Sequence, residues 1–71
     1  MKYRITAENV GKEMMVTLMI KYHGKKFKYT VNGKNLERID DAGSDVEKAI
    51  KKTFGKKDSK KIINKIVKDF S

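Results

Sequence analysis

The chain has no cysteine, no proline and no tryptophan, a single histidine, and only three tyrosines and three phenylalanines in 71 residues. Without cysteine, neither a disulfide nor a thiolate metal site can reinforce the fold. The longest nearly apolar stretch, Met14 to Ile20, is too short to span a bilayer, so no membrane partner is expected. Residues Met1 to Thr6 run straight into an alternating pattern with no apolar signal core, which makes a cytoplasmic location the expectation. Catalytic groups are also scarce. His23 sits beside Gly24 in an expected turn, and Ser44, Ser59 and Ser71 fall at expected helix caps or at the end of the chain. No nucleophile, base and orienting group can be drawn together from these residues, and no glycine-rich phosphate loop is present. Neither an enzyme activity nor a cofactor is therefore expected. The acidic residues Asp40, Asp41, Asp45 and Glu47 lack the spacing of a calcium loop, and no metal is expected among them.

What the chain has in excess is positive charge. Eighteen lysines and arginines face nine acids, a formal net charge of +9. The surplus lies in two blocks: residues 1–36 carry a net +6 and residues 48–71 a net +7, while the segment 37–47 between them is net −4. Sixteen of the basic residues are lysine and two are arginine. Lysine is a hydrated point charge suited to backbone phosphates, whereas arginine dominates bidentate reading of guanine edges. A domain of this length buries only about 60% of the surface its unfolded chain exposes, so residues 1–71 are expected to form one small domain with little stability to spare.

The first half alternates like strands. Tyr3 and Ile5 alternate with Lys2, Arg4 and Thr6, and a turn is expected over Glu8 to Lys12, with Gly11 as the breaker. From Met14 to Tyr22, one face carries Met14, Val16, Leu18, Ile20 and Tyr22 and the other Met15, Thr17, Met19 and Lys21. After a tight turn at His23-Gly24-Lys25, Phe27, Tyr29 and Val31 alternate with Lys26, Lys28 and Thr30. Asn32-Gly33 is a favoured hairpin dipeptide, which suggests a fourth strand over Lys34 to Ile39, although Leu36 and Ile39 also fit a helical turn.

The second half has helical periods. Ser44 and Glu47 form a capping box ahead of the stripe Val46, Ala49, Ile50, Thr53 and Phe54, and Gly55 stands where a left-handed C-cap belongs. Asp58 or Ser59 is expected to cap a second helix with the stripe Ile62, Ile63, Ile66, Val67 and Phe70. The expected fold is therefore α+β, an antiparallel meander of three or four strands followed by two amphipathic helices packed on one of its faces, with Tyr3, Ile5, Val16, Leu18, Ile20, Phe27 and Tyr29 turned toward them.

That arrangement leaves a second sheet face. Lys2, Arg4, Lys21, Lys26 and Lys28 there would hold phosphates, and Thr17 and Thr30 would reach base edges. A second cationic site is expected where Lys56, Lys57, Lys60 and Lys61 crowd the start of the second helix, around free N–H groups that favour anions. The leading expectation is a non-enzymatic module that binds DNA or RNA. The alternative is a small interaction protein, for instance a regulator or inhibitor from a mobile genetic element, docking on an acidic protein surface through Met15 and Met19. The acidic segment would repel nucleic acid from one edge or pair with lysines of the second helix. The molecule would be a monomer or a weak homodimer joined through the edge strand beginning at Lys2.

Overall fold

The alternating half of the chain forms strands and the periodic half forms helices. The computed structural model, which describes residues 1–70, has β1 (Lys2–Val10), β2 (Glu13–Tyr22) and β3 (Lys25–Asn32), a single 3₁₀ turn (Gly33–Asn35), then α1 (Asp45–Phe54) and α2 (Lys56–Asp69). The order βββαα is the expected α+β arrangement. The contacts within the chain gather into two compact units, Met1–Leu36 and one beginning at Glu37. Among the described residues, no helix is long and apolar enough to cross a membrane.

In the first unit the three strands form one antiparallel sheet in the order β1-β2-β3. Two two-residue loops set its register. Gly11-Lys12 joins the Val10–Glu13 pair, with Gly11 at φ 65°, as a type II′ turn requires at its first central position. His23-Gly24 joins Tyr22 to Lys25 with φ of 49° and 78°, both positive, as in a type I′ turn. His23 tolerates this conformation as the only non-glycine residue with positive φ among those described, its ring edge-on to Tyr22 at 4.2 Å. β1 is longer than the alternation alone suggests: Glu8 to Val10 belong to the strand, because the turn needs only the two residues after Val10.

Among the described residues no fourth strand follows. Asn32 has φ −66° and ψ 134°, and its side chain accepts a hydrogen bond from the backbone N–H of Lys34 at 2.9 Å, which curls the chain into the 3₁₀ turn. Gly33 has no positive φ; a Cβ there would lie 3.3 Å from the Met14 carbonyl oxygen, so close approach accounts for the glycine. Leu18, Ile20 and Phe27 on one sheet face are buried, and the Phe27 and Tyr29 rings stack nearly parallel at 6.3 Å. Tyr3, Val16, Tyr29 and Val31 are half-buried on that face, and Ile5 is exposed, contrary to its expected place in the core. Ile5 lies on an edge strand, where one flank has no neighbouring strand to cover it.

In the second unit, Ser44 caps α1: its Oγ accepts the N–H of Glu47 at 3.2 Å. Glu47 reaches back to the N–H of Gly43 at 3.0 Å rather than to that of Ser44, which donates to the Asp41 carbonyl. Glu37 supplies a further cap, its Oε2 accepting the N–H of Asp45 at 3.0 Å. Val46, Ile50 and Phe54 form the buried stripe of α1, with Ala49 and Thr53 half-buried. Gly55 has positive φ as expected, but its ψ of 163° lies outside the left-handed helical region. That single residue ends α1 and starts α2, so the second helix begins at Lys56, without a side-chain cap, and not at Asp58 or Ser59. Ser59 is instead fully buried one turn in, donating its hydroxyl to the Lys56 carbonyl at 2.9 Å. Ile62, Ile63 and Ile66 are buried and Val67 half-buried, while Phe70 lies past the helix end and is exposed.

Ile50→Ala and Ile66→Ala each remove a side chain at most 2% exposed and are expected to cost about 2–5 kcal/mol, read as lowered midpoints in urea unfolding; an unchanged midpoint for either would contradict its burial. Ser44→Ala is expected to cost about 1 kcal/mol. The Gly43 N–H, and then Lys51, hold the Glu47 carboxyl below its usual value of 4.5, so its ionised form stabilises the fold. That contribution is present above pH about 4.5 and fades as pH falls through the lower folded value. The stability gap between wild type and Glu47→Gln should therefore be widest near neutrality and shrink on acidification; a gap that grows toward low pH would reverse the assigned sign.

Candidate nucleic-acid interface

The strand register turns an alternating sequence into cross-strand rows. On the sheet face opposite Leu18, Ile20 and Phe27, one row is Lys2–Lys21–Lys26, the next Arg4–Met19–Lys28, the next Thr6–Thr17–Thr30, and the last Glu8–Met15–Asn32. Strands lie about 4.8 Å apart, and successive rows on one face about 6.8 Å apart. Five cations therefore occupy two adjacent rows within a patch about 10 Å wide. All five side chains are exposed, and no carboxylate enters either row. Like charges directly opposite one another destabilise a sheet, so the row of three lysines works against folding.

Below the cations, the Thr17 and Thr30 hydroxyls are 3.1 Å apart and hydrogen-bonded. A hydroxyl offers one donor and two lone pairs, so this pair still presents a donor and acceptors outward, and Thr6 extends the row. Thr6 shares the parity of Arg4 in sequence, but its place beside Thr17 depends on the register. The structure thus brings Lys2, Arg4, Thr17, Lys21, Lys26, Lys28 and Thr30 onto one face. It does not bring Met15 and Met19 together: the threonine row separates them, Met15 is half-buried, and Met19 stands between Arg4 and Lys28.

The second cationic group lies on α2. Because α2 starts at Lys56, Lys56 and Lys57 occupy its first two positions and Lys60 and Lys61 the following turn. At 100° per residue the four fall within an arc of about 140°, away from the buried isoleucines. All four are exposed, and Asp58 is the one acid in the first turn. The helix start carries a positive partial charge, so Lys56 and Lys57 oppose it.

The acidic segment is bound up in its own surroundings rather than with lysines of α2. Asp40 accepts two hydrogen bonds from Arg38, at 3.0 and 2.9 Å, which hold its carboxyl below its usual value. Glu37 caps Asp45, and Glu47 binds the Gly43 N–H and Lys51. Among the described residues no group of three or more metal-ligating side chains is gathered.

Compared with protein-family models, with curated proteins and with solved structures, the chain matches none.

If Lys56 and Lys57 oppose the helix dipole, Lys56→Gln and Lys57→Gln should each raise stability by about 0.3–1 kcal/mol at low ionic strength, less in high salt. Thermal melts at two salt concentrations check this, and destabilisation by both variants would show that these lysines serve the fold.

Proposed function

We propose that this protein is a non-enzymatic nucleic-acid-binding module that grips a duplex through the cationic face of its sheet. The observation that carries the reading is the packing of Lys2, Arg4, Lys21, Lys26 and Lys28 into two adjacent rows with no carboxylate between them. A surface that concentrates cations at a cost in stability gains affinity for a polyanion by releasing counterions from its phosphates. The exposed threonine hydroxyls beside them offer donors and acceptors to groove edges.

The division of the sheet supports a duplex over a single strand. Tyr3, Phe27 and Tyr29 share the opposite face with Leu18 and Ile20, and the cation rows contain no ring on which an unpaired base can stack. The protein-docking alternative needs a continuous apolar patch around Met15 and Met19, and the threonine row interrupts it. The lysines at the start of α2 supply a second contact to phosphate.

The five sheet cations, all engaged, should contribute about −4.5 to the slope of log K for duplex DNA against log salt. Lys26→Ala with Lys28→Ala should weaken binding and flatten the slope by about 2, while the four α2 lysines changed to Gln should leave the sheet's share of the slope in place. Fluorescence anisotropy against duplex DNA, duplex RNA and single strands reads each outcome. No affinity for any of them at low salt, on folded protein, would overturn the reading and turn attention to an acidic protein partner.

A further inference from the structure

β1 lies at an edge of the sheet, and eight of its nine residues are exposed. Exposed edges are usually blunted by proline, a bulge, short length or a run of lysines. β3, at the other edge, carries Lys25, Lys26 and Lys28. β1 has nine residues, no proline and an unbroken register from Lys2–Lys21 to Val10–Glu13, and its three charged side chains, Lys2, Arg4 and Glu8, are of both signs rather than all positive. It is open to a further strand.

Its hydrogen-bonding groups are set for one. The two-residue Gly11-Lys12 loop makes Val10–Glu13 a hydrogen-bonded pair. Alternation then turns the backbone groups of Arg4, Thr6 and Glu8 toward β2 and those of Ile5 and Ala7 outward.

We propose that two copies of this chain associate through antiparallel pairing of β1 with β1 about a two-fold axis at Thr6, forming a six-stranded sheet. In this register all nine residues pair, and Arg4 of each copy faces Glu8 of the other. These are close, non-hydrogen-bonded positions, where side chains approach most nearly. The dyad supplies this ion pair twice. Thr6 meets Thr6, and Ile5, 44% exposed, meets Ala7 on the opposite face beside a hydrogen-bonded backbone pair. A register shifted by two residues would pair Lys2 with Glu8 but leave strand ends unmatched and set Arg4 against Thr6. The occupant is a second copy because the edge is complementary to itself: a cation two residues before the midpoint and an acid two residues after it satisfy each other when the strand is inverted. The pairing competes with phosphate for Arg4 and leaves Lys2, Lys21, Lys26 and Lys28 to the cationic face. It would place the two cation clusters on one side of the joined sheet, with the Lys2 positions about 27 Å apart along the strands, at about 3.4 Å per residue.

The test is sedimentation equilibrium without nucleic acid, from micromolar to millimolar protein. Wild type should dimerise. Arg4→Glu and Glu8→Arg should each raise the dissociation constant about tenfold or more, since each turns two attractions into repulsions, and the double exchange should restore it. Arg4 and Glu8 are four residues apart on one strand, beyond each other's reach within a copy, so rescue can arise only between copies. Ile5→Pro, which removes an outward N–H, should abolish the dimer, with circular dichroism confirming that the monomer stays folded. A wild type that remains monomeric throughout, a dimer indifferent to both charge reversals, or a double exchange no better than either single one would overturn the proposal.

Discussion

The register of the sheet is the constraint on which the candidate site depends. It is pinned at both ends of β2 by two-residue loops, one with glycine at the first central position and one with positive φ at both. Side chains alternate with a period of two, so a one-residue slip of β3 against β2 would carry Lys26 and Lys28 to the face of Leu18 and Ile20, and Phe27 to the other. Burying those ammonium groups would cost far more than the slip could recover. Turn geometry and hydrophobic parity thus select the same alignment, and that alignment makes the rows.

Charge in this protein is divided by task. The acids between residues 37 and 47 serve local structure, with Glu37 and Glu47 satisfying backbone N–H groups around the start of α1 and Asp40 held by Arg38. Such pairs at exposed sites contribute little stability, and their main effect is to order the approach to the helix. The cations on the sheet have no comparable partners across the strands. Lys2, Lys21 and Lys26 stand side by side, and Lys56 and Lys57 begin a helix whose dipole disfavours them. Both placements oppose stability in a chain too short to have much of it. An anionic ligand would relieve both.

The acids within β1 and β2 fit the same division. Glu8 lies in the row farthest from the lysines, and Glu13 at the mouth of the first turn. The cationic end of the face is therefore undiluted, and β1 is polarised along its length. That polarity makes the strand complementary to its own inverted copy, so one arrangement of charge bears on both the cationic face and the open edge.

The class of each half is written in its residue pattern. Period-two alternation through Met14–Val31 and helical stripes at Val46–Phe54 and Ile62–Val67 reflect which side chains must leave water, and burial follows them closely. The cap at Ser44 was equally legible, because a hydroxyl three residues before a glutamate satisfies a helix start wherever it occurs. Parity likewise assigned Lys2, Arg4, Lys21, Lys26 and Lys28 to one face. It could not say which residues lie side by side, since that depends on loops whose φ angles several short sequences can adopt. Asn32-Gly33 matches the hairpin pattern better than His23-Gly24, yet only the latter forms a type I′ turn, because the Asn32 side chain accepts the Lys34 N–H and curls the chain into a 3₁₀ turn. The start of α2 departs from the local pattern for a related reason: Asp58 and Ser59 are good caps in isolation, but Gly55 at positive φ starts the helix early enough for Ser59 to be buried within it. The exposure of Ile5 and the separation of Met15 from Met19 were likewise decided only by tertiary structure, since edge position and cross-strand neighbours are properties of pairing between distant segments.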